Sequence, residues 1–224
     1  MTAYYTEKLS SGRLQQAYAL APPRAAQYLD AEIAHLLSRL TLGCRALELG
    51  CGYGRVALRM ATCCAEVVAI DVTPASIELA RALAAEQRLP CRFEVMDALA
   101  LAFPDASFDA VACVQNGICA FRVDTQDLVA EALRVLRPGG RLLLSTYADA
   151  FWDARLQWFE RQAEAGLLGA IDPAQCVDGV IACSDGFRSA RATPQQLADL
   201  AAAVGREAHI AFVDGSSLWC EIVK

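Results

Sequence analysis

The 224-residue chain predicts a doubly wound α/β fold, a largely parallel sheet with helices on both faces. Three observations carry that expectation. Short apolar runs alternate with amphipathic stretches along the chain. The first run ends in a cluster of glycines, and the second ends in an acid. The length suits one α/β domain with a substantial core and is short for two, so residues 1–224 are expected to form a single domain.

Pro22-Pro23 open a helix over 22–40, with Ile33, Leu36, Leu37 and Leu40 as its apolar stripe. The first strand is expected over 44–49, and a helix over 53–61 follows the glycine turn. The second strand covers 67–71 and ends at Asp71. A helix over 73–87 follows, with Thr73 placed to cap it and Pro74 at its first position. The third strand, 92–96, stops before Asp97, and the fourth is expected over 108–114 with a helix over 126–136 behind it. Arg137-Pro138-Gly139-Gly140 read as a turn into a fifth strand over 141–147. A late helix over 194–204 precedes two strands, 209–213 and 218–223, flanking the hairpin turn Asp214-Gly215-Ser216-Ser217. Two segments lie outside this alternation. Residues 1–40 form a helical N-terminal segment. Residues 148–193 form an insertion between the fifth strand and the last helix, longer than a simple connection needs.

The chemistry concentrates where the first strand meets its turn. Residues 46–54 read Ala-Leu-Glu-Leu-Gly-Cys-Gly-Tyr-Gly. Glycines there let backbone approach a ligand, and a carboxylate at the end of the next strand takes ribose hydroxyls, which suits an adenosine-type cofactor. The dinucleotide fingerprint wants a small residue where this chain has Arg55. Glu48 would sit poorly beside a pyrophosphate but suits a ligand carrying an ammonium and a sulfonium. At these residues the chain resembles the class I S-adenosylmethionine-dependent methyltransferases of small-molecule type, whose first motif, E/D-x-G-x-G-x-G, is matched by Glu48, Gly50, Gly52 and Gly54. Asp71 matches the family's acid at the end of the second strand. Asp97-Ala98 match the acid after the third, which in the family faces the adenine amino group. The stretches 103–109 and 131–140 look like those around the family's fourth and fifth strands.

The resemblance implies a Rossmann-like seven-stranded sheet in the order 3-2-1-4-5-7-6, with strand seven antiparallel. It implies S-adenosylmethionine as cofactor, S-adenosylhomocysteine as product, and a small-molecule acceptor methylated by in-line displacement. Cofactor contacts fall on Glu48, Gly50, Cys51, Gly52, Gly54, Asp71, Val72, Asp97, Ala98 and Gln115. In related enzymes a segment such as 1–40 folds over the cofactor as a lid. Acceptor contacts are expected from this lid, the insertion and the loop after strand four, at Tyr5, Asn116, Trp152 and Phe187. The Asn-Pro-Pro-Tyr signature of enzymes acting on nucleobases or glutamine is replaced by Gln115-Asn116-Gly117. No general base stands out; Tyr147, Asp149 and Tyr5 are candidates where a nucleophile must lose a proton. A non-catalytic protein that binds S-adenosylmethionine to sense it is the alternative from another class. An NAD-dependent dehydrogenase is disfavoured by Glu48 and Arg55.

A net charge of −6 with scattered arginines argues against a nucleic-acid partner. No apolar run approaches the roughly 18 residues of a membrane span, and the N-terminus lacks signal-peptide features, so a cytoplasmic protein is expected. A monomer or homodimer fits equally well. The ten cysteines form no Cys-x-x-Cys pair and have no neighbouring histidines, so no metal site is expected. Most sit in apolar runs as small hydrophobes; Cys119 is the one placed to meet a ligand. His35 and His209 read as structural, and a thiolate-held metalloid acceptor has no clustered cysteines to support it near the loop after strand four.

Overall fold

In a computed structural model describing residues 3–224, the chain alternates as its hydrophobic pattern predicts. Helices α1 (Ala3–Glu7), α2 (Ser11–Ala19) and α3 (Pro23–Arg39) precede β1 (Arg45–Leu49) and α4 (Arg55–Met60). Then come β2 (Glu66–Asp71), α5 (Pro74–Gln87), β3 (Cys91–Val95), β4 (Phe108–Cys113), the short α6 (Gly117–Ala120), α7 (Thr125–Val135) and β5 (Leu136–Tyr147). After β5 come α8 (Trp152–Glu164), a two-residue-per-strand hairpin β6 (Ile181–Ala182) and β7 (Arg188–Ser189), α9 (Pro194–Ala203), β8 (Ala208–Val213) and β9 (Ser217–Val223).

Seven strands form one sheet in the order β3-β2-β1-β4-β5-β9-β8. The first five strands pair in parallel, and β9 runs antiparallel to both neighbours. Counted by sheet strands alone, this is the expected 3-2-1-4-5-7-6 arrangement. β1 and β2 are buried along almost their whole length because helices cover both faces, which is why they read as continuous apolar runs. One face packs Leu47, Val68, Val111 and Leu142 against α7 and α9. The other packs Ala46, Val67, Ala69 and Ala112 against α3, α4 and α5. Small residues dominate this second face and let the helices approach closely.

Two local expectations change. Arg137-Pro138-Gly139-Gly140 do not form a turn ahead of the fifth strand but lie within it. Leu136 already pairs with Phe108, and the register then shifts before Ala110 meets Arg141. The glycines absorb this irregularity, and Gly139 N–H donates to Lys224 O at 3.1 Å. Thr73 occupies the cap position of α5, but its side chain makes no capping bond. Instead Asp71 Oδ1 accepts from Thr73 N–H at 2.8 Å, so the acid at the end of β2 organises the next helix.

A third cluster lies beyond the sheet. Leu9 between α1 and α2, Ala17 of α2, and Tyr28 and Leu29 of α3 pack against Tyr147, Phe151, Trp158, Phe159 and Phe187. Polar bonds hold the two covering segments together. Trp158 Nε1 donates to Ala17 O at 2.8 Å, Arg13 Nη2 to Gly166 O at 2.8 Å, and the Tyr4 hydroxyl to Asp185 Oδ2 at 2.6 Å. Arg24 and Gln27 of α3 bind the two carboxylate oxygens of Asp214 at 2.6 and 2.7 Å, fixing α3 to the β8–β9 hairpin. No helix among the described residues is long and apolar enough to cross a membrane.

Candidate functional site

At the carboxyl ends of β1, β2, β4 and β5 the sheet and its cover enclose a cavity of about 120 Å³. Its floor is the glycine turn after β1, with Glu48, Gly50, Cys51, Gly52 and Arg55. Its roof is aromatic: Tyr5, Tyr18, Tyr147, Trp158, Phe159 and Phe187. The loop after β4 closes one side with Gln115 and Asn116. A second, smaller cavity lies on the β2–β3 side, lined by Val72, Met96, Asp97, Ala98 and Leu99. Gly50, Asp71 and Phe121 border both spaces.

Gly50 has φ +71°, and a Cβ there would lie 2.4 Å from the Phe121 ring, so only glycine lets that ring rest across the turn between the two cavities. Gly54 works differently. Its missing Cβ leaves room for Phe93 and Ala80, so it seats α4 on the sheet and does not face the cavity.

Asp71 is buried at the junction. Its Oδ2 accepts from Gly52 N–H at 3.0 Å and its Oδ1 from Thr73 N–H. Each oxygen retains a free lone pair for a hydroxyl. Asp97 is exposed, and its Oδ1 accepts from Leu99 N–H at 3.0 Å.

The floor holds polar atoms that the protein leaves unpaired. Glu48 is buried and its Oε2 has no partner; Arg55 Nε and Nη2 and Gln115 Nε2 are likewise buried and unsatisfied. Such atoms are uncommon in folded proteins and point to a missing ligand. Burial pushes the Glu48 carboxyl up to about 8, with Arg55 pulling the other way. One free carboxylate oxygen and two free guanidinium nitrogens on one floor complement a zwitterionic amino-acid group: ammonium on Glu48, carboxylate on Arg55.

The loop after β4 is strained. Gln115 and Asn116 take φ +55° and +64°, a conformation that ordinary side chains rarely adopt. The hydrogen bonds around it hold that geometry. Gln115 N–H donates to Ser145 Oγ at 2.8 Å and Glu32 Oε1 at 3.3 Å. The Asn116 side chain donates to Ala190 O at 2.9 Å and accepts from Thr146 Oγ1 at 2.6 Å. Asn116 therefore borders the cavity while its amide ties the insertion to β5.

Of the acceptor-side residues expected from sequence, Tyr5, Asn116 and Phe187 line the cavity and Trp152 does not. Trp152 is the first residue of α8 and packs against the cover's core. Tyr147 and Tyr5 are on the roof, whereas Asp149 is exposed and ion-paired with Arg191. Burial pushes the Tyr5 hydroxyl up to about 12 and raises Tyr147 further. None of the ten cysteines is in a disulfide. Cys51 borders the cavity, while Cys119 faces a separate groove beside Arg122 and Arg191. His35 packs at a tilt against Trp219, with ring centroids 4.6 Å apart.

Sequence reasoning missed Arg55, Tyr18, Glu32 and Arg155 as parts of this region. Arg55 was legible as the residue after the glycine turn, where its presence was read only as a departure from the dinucleotide pattern. Glu32 gives no local signal. It is buried on α3, accepts from Ser145 Oγ at 2.5 Å, and is pushed up to about 7 by burial.

Residues 46–140 match the family described as a methyltransferase domain. A demethylmenaquinone methyltransferase of Deinococcus radiodurans is 45% identical over 102 residues, 45% of this chain and 42% of that protein. A 27-O-demethylrifamycin SV methyltransferase of Amycolatopsis mediterranei is 40% identical over 111 residues, 48% of this chain and 40% of that protein. The chain thus spans less than half the length of these two relatives. A solved protein of Pyrococcus horikoshii shares the fold at 20% identity and a TM-score of 0.70, over 100% of this chain and 99% of that one. The segment matched to the family runs from β1 to the start of β5, carrying the glycine turn and both carboxylates of the floor. Over residues 46–140, with the glycine turn and the Asp71 strand end, the chain is similar to methyltransferases.

Proposed function

We propose that the protein transfers a methyl group from S-adenosylmethionine to a small-molecule acceptor. The observation that carries this reading is the set of unpaired buried atoms on Glu48, Arg55 and Gln115, beside an Asp71 carboxylate shared by two cavities. The names of the curated relatives support it, since both are methyltransferases acting on small molecules. Bound there, S-adenosylmethionine supplies an activated methyl group on a sulfonium.

The chain's own residues bind, align and exclude water. Glu48 and Arg55 hold the amino-acid end, Asp71 takes the ribose hydroxyls, and Val72, Asp97 and Ala98 receive the adenine in the smaller cavity. The glycine turn, with Cys51 and Gly52, brings backbone close to the ligand. The strained Gln115-Asn116 loop closes the side where the methyl group is presented. Residues 1–40 and 148–193 act as lid and insertion over this floor, and their aromatic roof keeps water from the reacting atoms. Tyr5, Phe187 and the backbone at Asn116 shape the acceptor's space, and no dedicated base is assigned.

The remaining expectations complete the proposal. The protein acts on free small molecules without nucleic acid or membrane, as a monomer or homodimer. It works in a reducing, cytoplasmic setting that suits ten unpaired thiols.

Titration calorimetry should show S-adenosylmethionine and S-adenosylhomocysteine binding, with NAD weak or silent. Tighter binding of NAD sinks the reading. A screen for acceptors that gain one methyl group separates an enzyme from a protein that only senses the cofactor.

A further inference from the structure

Behind the roof lies a charge that no carboxylate among the described residues pairs with. Arg155 is 1% exposed, and its guanidinium makes three hydrogen bonds, all to neutral oxygens. Nη1 donates to Gly179 O at 2.9 Å, and Nη2 donates to Ser189 O at 2.5 Å and Ser189 Oγ at 2.8 Å. Its Nε has no partner. The strongest electrostatic influences on it from side chains come from Tyr147, Tyr28, Tyr5 and Cys119. Burial raises all four, so each is neutral at pH 7. Burial also lowers the pKa of Arg155 itself, yet a guanidinium stays protonated in proteins. A buried cation without an anion is costly, and side chains so placed are usually paired.

The guanidinium faces two rings that wall the cavity. Its central carbon is 4.1 Å from the Tyr147 ring centroid and 5.7 Å from that of Phe159. The field reaches the chamber: Arg155 and Arg122 both pull the Tyr5 hydroxyl down against its burial. Glu32, a buried carboxyl that also acts on Tyr147, is engaged by Ser145 and Gln115 and forms no ion pair with Arg155. On the floor, Glu48 and Arg55 would be matched by the amino-acid end of the cofactor. The chamber between floor and roof is then left facing two positive charges, the ligand's sulfonium and Arg155.

We propose that Arg155 sets the charge of the acceptor: the chamber takes a planar molecule whose nucleophile is an oxyanion, a phenolate or a carboxylate. This rests on the methyltransferase reading. An oxyanion supplies the missing negative charge, and aromatic walls suit a flat conjugated body. The reaction then needs no base from the protein. A lone pair of the oxyanion forms the new O–C bond as the methyl carbon's bond to sulfur breaks, and that electron pair stays on sulfur. The negative charge of the oxyanion and the positive charge of the sulfonium vanish together, and no proton moves. Arg155 is a positioning and specificity-determining residue, since the rings stand between it and the acceptor.

The test uses the full chain saturated with S-adenosylhomocysteine, so that Arg55 is already occupied. The probes are benzoate, its neutral isostere benzamide, and 4-nitrophenol, whose ionisation is visible in its absorbance. Benzoate should bind at least tenfold more tightly than benzamide, and bound 4-nitrophenol should ionise at lower pH than free 4-nitrophenol. Arg155→Met should abolish both effects, and Arg155→Lys should keep them in part. S-adenosylhomocysteine affinity should stay within about twofold in both variants. If Arg155→Met fails to fold, the wild-type preference and the lysine variant decide. The proposal is overturned if wild-type protein holding S-adenosylhomocysteine shows no preference for the anion, or binds neither probe. It is equally overturned if Arg155→Met retains the preference. If S-adenosylhomocysteine itself does not bind, the methyltransferase reading fails first and takes the proposal with it.

Discussion

The floor and the roof of the cavity are built by opposite means. The floor is a short stretch of chain, Glu48 to Arg55, joined to Asp71 one strand away, and its polar atoms are left open. The roof is assembled from residues far apart in sequence, and it is tied shut: Tyr4 to Asp185, Trp158 to Ala17, Arg13 to Gly166. Open polar atoms over a rigid sheet are what a shared cofactor needs. The closed aromatic cover lies outside residues 46–140, and the proposal places the choice of acceptor there.

The largest expected effect falls on the roof's stability. Phe151 is 1% exposed and packs against Tyr28 and Tyr147 without lining the cavity. Phe151→Ala should cost about 3–5 kcal/mol of stability, seen as a lower melting temperature, by leaving a hole in the cover. Affinity for S-adenosylhomocysteine should change little where the variant is folded. A large loss of affinity would show that roof and floor are not separable.

The floor should respond the other way. Asp71→Ala should weaken cofactor binding by roughly 1.5–3 kcal/mol, ten- to hundredfold, through the loss of charge-assisted bonds. Asp97→Ala should cost less, since Asp97 is exposed and offers a single bond to the adenine side. Equal effects at the two positions would misplace the ribose.

Acidity sharpens the comparison further. The folded, ligand-free protein holds Glu48 at about 8 and Glu32 at about 7, both above the ordinary 4.5. The folded state therefore binds more protons than the unfolded one over this range. The stability these groups contribute is fully present below about pH 4.5 and is lost as pH rises through 7 and 8. The loss is on the order of 1 kcal/mol per pH unit for each group within its window. Cofactor affinity should move oppositely, rising between pH 5 and 8 by up to about tenfold per unit, because an ammonium requires Glu48 ionised. Glu48→Gln should flatten the affinity profile and, by removing one of the two groups, reduce the slope in melting temperature. An unchanged affinity profile would remove Glu48 from the ammonium site.

The smallest effect is expected at the latch. The Tyr4–Asp185 bond is exposed, so Tyr4→Phe should change stability by less than about 1 kcal/mol. Turnover should fall more than cofactor affinity if the latch holds the roof closed.

The sequence by itself determined the sheet and the floor, because both are written in short-range patterns. Continuous apolar runs mark strands buried on both faces, and a glycine turn with Glu48 before it and Asp71 at the end of the next strand needs no distant partner to be read. Thr73 shows a limit of this: it sits at the cap position without a capping bond, and its own N–H is bound by Asp71, two residues before it in the chain. Arg137-Pro138-Gly139-Gly140 show another, since only pairing with Phe108 reveals the segment as part of β5. Tertiary structure alone decided the roof. Trp152 and Trp158 look equivalent along α8, yet one packs outside the cavity and the other lines it, because α2 and the 148–193 segment meet only in three dimensions. Glu32 and Arg155 are ordinary helix residues in sequence. Each acquires its character from burial among partners more than 20 positions away, Ser145 for one and Gly179, Ser189 and Tyr5 for the other. The cost of an unpaired charge depends on what surrounds it, and those surroundings exist only after folding.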